Sequence, residues 1–155
     1  MKKIILLLLF PFLVFSQTEK SNLSNEELFV MFYNVENLFD TIDSPKTNDS
    51  EFLPNSKKNW NTYRYDYKLS QIEKVFASLT TEENNNNMPD IIGLCEVENR
   101  LVIEDLLNTP TFNNQDYTIV HQDSPDSRGI DCALLFNSKL KLVKTDFIVI
   151  ENPVE

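Results

Sequence analysis

Two polar side chains with the chemistry of a metal or phosphate site follow apolar runs of the sequence. Glu96 comes directly after the apolar residues 91–95, and Asn34 comes directly after residues 28–33. Hard cations such as Mg²⁺ prefer carboxylate oxygens, and an amide can donate a hydrogen bond to a phosphate oxygen. The structural alternatives are a solvated glutamate, or one paired with Arg100, and an asparagine that only forms a turn.

A third candidate region is the polar segment 121–131, which places Arg128 next to Gly129. A planar guanidinium beside a flexible backbone suits phosphate binding, although a salt bridge to a nearby aspartate is the alternative. His121 is the only histidine. Because no partner is defined for it, we interpret it as a structural or surface residue at a strand end and not as a general base.

Glu98 is a rival carboxylate to Glu96, and we interpret it as a surface group or a support for the ligands. A second interpretation pairs both glutamates as the two acids of a sugar hydrolase. Two acids two residues apart on one strand rarely reach the opposed geometry that this mechanism needs. We therefore rank that interpretation last.

Apolar periodicity predicts the elements that would position these groups. Runs of apolar residues predict buried strands over residues 28–33 and 90–96. The other predicted elements are a long loop over residues 41–61, helices over residues 63–79 and 100–108, and strands over residues 117–122, 131–137 and 142–150. This order is typical of the α/β class, in which functional side chains gather beyond the carboxyl ends of strands.

The charge balance excludes one class of partner. Of 155 residues, 24 are acidic and 14 are basic, which gives a net charge of −10. Such a chain has no long-range attraction for nucleic acid or for anionic lipid, because counterion release requires a basic surface. The composition therefore argues against a non-specific nucleic-acid coat protein, while a local phosphate site stays open.

The amino terminus predicts export. Two lysines precede the apolar residues 4–15, and the small residues Val14 and Ser16 follow the order of a signal-peptide cleavage site. A membrane anchor is the alternative, but it needs about 20 apolar residues. We expect a signal peptide over residues 1–16, a loose segment over 17–27 and one domain over 28–155. The mature product would be periplasmic or secreted, monomeric and without stable membrane insertion.

Cys95 and Cys132 are the only cysteines, and both lie in predicted strands. Export permits a disulfide, but a bridge requires matched neighbouring positions. We favour buried free thiols, because neither cysteine has the spacing of a metal or redox motif.

Three segments together resemble the endonuclease/exonuclease/phosphatase family. They are FYNVENLFD at residues 32–40, PDIIGLCEVEN at residues 89–99 and DSRGIDCALLF at residues 126–136. Each segment alone is a weak signal, but the three occur in family order. The resemblance implies a metal-dependent hydrolase of phosphate esters, with nucleic acid as one candidate substrate, and Mg²⁺ as the cofactor with Mn²⁺ as an alternative.

The resemblance also implies roles for individual residues. Asn34 matches an asparagine that helps to hold the phosphate and the metal, and Glu96 matches a magnesium ligand. Arg128 matches an arginine near the substrate cleft. Asp131 matches a frequent position without a firm role, and we group it with Arg128 as a candidate for substrate binding. Cys95 departs from the glutamine that often precedes the metal-binding glutamate.

Two later motifs of the family do not occur in this sequence. Neither glycine precedes an aspartate, which excludes the Gly-Asp-x-Asn motif, and the single histidine follows a valine, which excludes Ser-Asp-His. The implied fold has two sheets packed face to face between helical layers. We therefore expect the N-terminal half of a two-sheet α/β sandwich, as a fragment with negligible activity by itself. The alternative is a non-catalytic exported binding module with the same fold.

Overall fold

The computed structural model describes residues 27–85 and 87–148. The predicted signal peptide and nearly all of the loose segment after it lie outside these residues, so both stay predictions. No helix within the described ranges is both long enough and apolar enough to span a membrane.

Four strands form one mixed sheet. They are β1 (Val30–Leu38), β2 (Ile91–Val97), β3 (Tyr117–His121) and β4 (Asp131–Asn137). Their order across the sheet is β1-β2-β4-β3, with β1 parallel to β2 and β4 antiparallel to both of its neighbours. The parallel pair requires a crossover connection, which the first helix supplies.

Two helices pack on one face of this sheet. Helix α1 spans Thr62–Ala77 and helix α2 spans Arg100–Leu107; short 3-10 turns cover Ser50–Phe52 and Glu82–Asn84. Each helix is preceded by an asparagine whose side chain accepts a hydrogen bond from a backbone amide. Asn61 accepts from the Arg64 amide, and Asn99 accepts from the Val102 amide. Such caps satisfy amides that have no partner inside the helix.

The core lies between the helices and this face of the sheet. Its fully buried side chains include Phe76, Ile92, Leu94, Ile103 and Leu135. Burial of each such side chain stabilises the fold by roughly 1.5–3 kcal/mol. Both the strands and the helices thus contribute to one continuous core.

The other face of the sheet, which we call the open face, is exposed in the described part of the chain. Val30 and Phe32 on β1 are 58% and 72% exposed, and Leu134 on β4 is 43% exposed. The prediction of a buried first strand is therefore wrong for this face. Alternation of buried and exposed positions shows that only one face of β1 packs against the helices.

The predicted fold class is confirmed, because the structure has an open α/β sheet of the kind expected for an incomplete sandwich. The first strand extends further than predicted, to Leu38. The predicted last strand is wrong over residues 142–148, which have no strand structure, and residues 149–150 lie outside the described ranges. Val143 and Ile148 are 93% and 86% exposed, so the apolar pattern there does not reflect packing.

A buried carboxylate fastens one end of the sheet. Asp90, just before β2, accepts hydrogen bonds from the Phe29 amide at 2.9 Å, from Asn137 Nδ2 at 2.8 Å and from Lys139 Nζ at 2.9 Å. The pKa of Asp90 is held below its ordinary value, chiefly by the hydrogen bond from the Lys139 ammonium and to a smaller extent by the one from the Phe29 amide. This carboxylate links the segments that enter β1 and leave β4.

We expect Asp90→Asn to lower the free energy of unfolding at pH 7 by about 1.5–3 kcal/mol, because it removes charged hydrogen bonds in a buried position. The depressed pKa means that the stabilisation is present above the ordinary value of 3.8 and is lost as pH falls through the lower folded-state pKa. The difference between the two proteins should therefore shrink below pH 3.8. Urea denaturation at pH 7 and at pH 2.5–3 measures it, with exposed Asp116→Asn as the control. A constant difference across this range would contradict the prediction.

Candidate functional site

The candidate site lies where β2 departs from regular pairing. Cys95 is opposite Cys132 on β4, and the next pair is Val97 opposite Asp131, so Glu96 is an extra residue in β2. Its backbone is in the left-handed region, with φ of 64°. Such bulges re-aim a side chain, and a positive φ in a non-glycine residue often marks a functional site.

Strand β1 is irregular at the same level. Asn34 is opposite Cys95, but the next pair is Leu38 opposite Val97, so three residues of β1 stand against one of β2. Within this stretch Glu36 and Asn37 have φ of 55° and 62°. Lys68 Nζ of helix α1 donates to the Glu36 carbonyl at 3.2 Å, which supports the stretch from the helix.

These two irregularities bring Asn34 and Glu96 together. Asn34 Nδ2 donates to Glu96 Oε1 at 3.0 Å, and the Glu36 amide donates to Asn34 Oδ1 at 2.7 Å. Because a backbone amide can only donate, this second bond fixes which atom of the Asn34 side chain is oxygen. Among the described residues, Oε2 of Glu96 accepts no hydrogen bond, which leaves it free for a ligand.

Arg128 forms the salt bridge that the sequence left as the alternative. Its Nη2 lies 2.8 Å from Asp126 Oδ2, and its Nε donates to Asp126 Oδ1 at 3.1 Å. The side chain is 67% exposed. The Asp126 carboxylate raises the pKa of Arg128, and the charge of Glu96 adds to this effect. Substrate binding by Arg128 stays a prediction.

Asp131 and His121 form a buried pair that the sequence did not reveal. His121 Nε2 lies 2.9 Å from Asp131 Oδ2, and both side chains are 3% exposed. The Ser124 amide donates to Asp131 Oδ1 at 2.8 Å, so this aspartate also orders the loop between β3 and β4. His121 thus has a partner that the sequence did not define, and of the two interpretations the pair favours the structural one over the surface one, while substrate binding by Asp131 stays a prediction.

The pairing of β3 with β4 explains this contact. His121 is opposite Ala133, and Asp131 lies two residues before Ala133 on the same face of the sheet. Together with Asp123, the pair offers three ligand atoms within 4.8 Å of one another, a second place where a metal ion could be held. The signal in the sequence that could have indicated this contact was the pair of short predicted strands on either side of a polar loop.

Glu98 is buried, at 7% exposure, so its interpretation as a surface group is wrong. Its Oε2 accepts the Asp40 amide at 2.7 Å, and Asn99 Nδ2 donates to Asp40 Oδ2 at 3.1 Å. Burial, together with the nearby carboxylates of Asp40 and Asp131, raises the pKa of Glu98 to about 7, although the hydrogen bond from the Asp40 amide acts in the opposite direction. Because Glu98 holds the chain after β1, the geometry gives no support to a carboxylate pair that acts on sugars.

A cavity of about 550 Å³ opens beside Glu96. The loop between β3 and β4, the thiols of Cys95 and Cys132, and the exposed Ile148 line it. Burial raises the pKa of the Cys95 thiol, and the neighbouring Cys132 and Glu96 raise it further. The volume is sufficient for a phosphate ester next to the Glu96 carboxylate.

The loop that carries Arg128 depends on Gly129. The Gly129 amide donates to the Asp126 carbonyl at 2.9 Å, and its φ is 73°. A Cβ at this position would lie 2.8 Å from the Cβ of Thr47. A side chain at position 129 therefore meets both backbone strain and a close contact.

We expect Gly129→Ala to lower the free energy of unfolding by about 1–3 kcal/mol, since the positive φ disfavours any side chain. The matched control is Gly93→Ala. Its Cβ would meet the ring of Phe32, which is exposed and can rotate away at lower cost. Thermal denaturation of both variants tests this, and an equal or smaller loss for Gly129→Ala would contradict it.

Comparison with known proteins agrees with this geometry. The sequence model of the endonuclease/exonuclease/phosphatase family matches residues 29–152, which is most of the chain. The search of curated proteins finds no match to this chain, and neither does the search of solved structures. The matched range contains Asn34, Glu96 and the loop with Arg128 and Asp131. The chain therefore belongs to the endonuclease/exonuclease/phosphatase family.

Proposed function

We propose that this protein is an exported phosphoesterase that uses Mg²⁺, with Mn²⁺ as an alternative, at the site formed by Asn34 and Glu96. The observation that carries the proposal is the 3.0 Å hydrogen bond between these side chains, which come from two separate strands. Membership of a metal-dependent family of hydrolases supports it. The amino-terminal pattern of residues 1–16 supports export.

The donor set fits such an ion. Mg²⁺ keeps several waters and is commonly held by one or two carboxylates together with the phosphate of the substrate. Glu96 supplies one half-buried carboxylate, and its Oε2 accepts no hydrogen bond from the described residues. Asn34 uses Nδ2 to orient this carboxylate, and a second lone pair of its Oδ1 remains for a water or an ion.

When bound, the ion would stabilise negative charge on a phosphoryl oxygen. The side chains and backbone of the protein would position the ligand oxygens around this ion. The bulge at Glu96 fixes the direction of the carboxylate, and Asn34 prevents its rotation by holding Oε1. An arrangement that is ordered before the substrate arrives costs little reorganisation during the reaction.

Substrate recognition would then depend on local contacts, because the net charge of −10 opposes long-range attraction of a polyanion. Arg128 is the exposed cation that we propose for this contact. It would exchange its bond to Asp126 for a bidentate bond to phosphate. Phosphate esters, with nucleic acid among them, are the proposed substrate class, and the protein is proposed to act as a monomer.

The proposal can be tested by assaying the purified chain with bis-p-nitrophenyl phosphate and with duplex DNA, in Mg²⁺, in Mn²⁺ and in EDTA. We expect hydrolysis that requires the ion and is at least about 10³-fold slower than that of a complete family member. The reason is that two motifs expected to supply further catalytic groups do not occur in this sequence.

Hydrolysis that continues unchanged in EDTA would overturn the metal-dependent mechanism. Turnover equal to that of a complete family member would show that the missing motifs are not needed. A stable chain that binds phosphate esters without any hydrolysis would favour the alternative of a non-catalytic binding module. Exposed Lys57→Ala is a control for changes that do not touch the site.

A further inference from the structure

Cys95 and Cys132 lie directly opposite each other on the antiparallel strands β2 and β4. Both thiols are reduced in this structure. The phosphoesterase proposal gives neither cysteine a role. They are the two cysteines of the sequence, separated by 36 intervening residues.

The type of pair can be deduced from a hydrogen bond at the end of the same ladder. The Asn137 amide donates to the Asp90 carbonyl at 3.0 Å, so Asp90 and Asn137 form a hydrogen-bonded pair. Hydrogen-bonded and non-hydrogen-bonded pairs alternate along antiparallel strands. Because the register is continuous from Ile91 to Cys95, the cysteines occupy a non-hydrogen-bonded pair.

This pair type brings side chains closest together. Its Cα atoms are about 4.5 Å apart in regular sheets, against about 5.5 Å for the hydrogen-bonded type. Disulfides span Cα separations of about 4.4–6.8 Å. The two cysteines therefore fall within bridging distance, at the short end of the range, without movement of the strands.

Both thiols are also accessible. They lie on the open face of the sheet, where Cys132 is exposed and Cys95 is half-buried, so the prediction that both thiols are buried is wrong. The cavity beside Glu96 is lined by both residues, so a small oxidant can reach them from that side. Thiol–disulfide exchange requires access, matched geometry and a thiolate as the attacking group, and the first two requirements are met here.

We propose that Cys95 and Cys132 form a reversible cross-strand disulfide when the protein meets a disulfide oxidant such as oxidised glutathione. The Cys132 thiolate attacks one sulfur of the oxidant and releases one reduced thiol. Cys95, after losing its proton, then attacks the Cys132 sulfur of the mixed disulfide as a thiolate, which forms the internal bond and releases the second reduced thiol. Two protons leave the cysteines, and two electrons pass to the oxidant. The bridge is exposed and at the short end of the range, which makes it readily reducible.

The bridge would lie next to the bulge that carries Glu96. Cys95 directly precedes Glu96, the extra residue of β2, and Cys132 directly follows Asp131. A covalent link here would fix the two strands at the level where the bulge begins. The bridge would belong to the sheet itself, so its formation does not depend on phosphoesterase activity.

The test treats the purified chain with oxidised glutathione and then measures free thiols and intact mass. We expect the loss of both thiols, a mass decrease of about 2 Da and a peptide that joins positions 95 and 132. Dithiothreitol should reverse all three changes. Far-UV circular dichroism of each single variant confirms that the fold is kept.

Cys95→Ser and Cys132→Ser are the matched controls, and each should accumulate a glutathione adduct because its remaining thiol has no partner. The same adducts on both cysteines of the unmodified sequence would overturn the proposal. Disulfide-linked dimers in place of the internal bridge would also overturn it, as would two thiols that stay unreacted while a denatured sample reacts.

Discussion

Glu96→Gln is expected to weaken the binding of Mn²⁺ or Mg²⁺ to this protein at least tenfold. The substitution removes the negative charge but keeps an oxygen that can accept the bond from Asn34 Nδ2, so the local structure should survive. Hard divalent cations depend strongly on carboxylate charge, and a neutral amide replaces it poorly. Isothermal titration calorimetry of both proteins with Mn²⁺ measures the change.

Asn34→Ala should have a smaller effect in the same titration. This residue orients Glu96 without supplying charge, so we expect its loss to lower the affinity by about tenfold or less, at the low end of what groups that support a metal ligand contribute. Glu104→Gln is the matched control, because Glu104 is exposed on α2 and pairs with Arg100. Equal affinity in Glu96→Gln and in the unmodified protein would refute the site. If Asp131→Asn then abolished binding, the ion would belong to the cluster of His121, Asp123 and Asp131.

Phe76→Ala is expected to give the largest loss of stability, about 3–5 kcal/mol. Phe76 is fully buried, and its ring meets Tyr33 at a centroid distance of 5.9 Å and Phe112 at 4.9 Å, both nearly edge to face. Truncation leaves a cavity between helix α1, the sheet and the segment after α2. Urea denaturation monitored by circular dichroism measures the free energy of unfolding.

Tyr63→Ala is the control for this substitution, because it removes an aromatic ring from the same helix at a position that is 78% exposed. Its expected change lies within about 0.5 kcal/mol. Similar losses for the two variants would show that helix formation, and not core packing, determines the effect. A loss below about 1 kcal/mol for Phe76→Ala would contradict the proposed role of this ring.

The sequence predicted the main elements because their apolar patterns are strong. Helix α1 and strands β2 and β4 have nearly the predicted bounds. The approach of Asn34 to Glu96 also follows from the pattern, since the carboxyl ends of parallel strands meet at one edge of a sheet. The rule predicted only that these side chains lie at the same edge, and not the hydrogen bond that joins them across 62 positions of the chain.

The bulges could not be predicted from the sequence. Glu36, Asn37 and Glu96 all have a positive φ, and only Asn37 is a residue type that commonly adopts one. An extra residue reverses which face later side chains occupy. The burial of Glu98 was missed for a different reason, because its partner Asp40 follows β1 and lies 58 positions away in the chain. The burial of His121 was missed because its partner, Asp131, lies on another strand.

Strand β1 is an edge strand of the described sheet, with a hydrogen-bonded neighbour only in β2. One half of the site therefore belongs to an element that can fray while the centre of the sheet stays closed. Ion binding and strand docking would be thermodynamically linked, because Asn34 is in place only when β1 is docked. Ion binding would then slow the hydrogen exchange of backbone amides along β1, including amides that do not contact the ion.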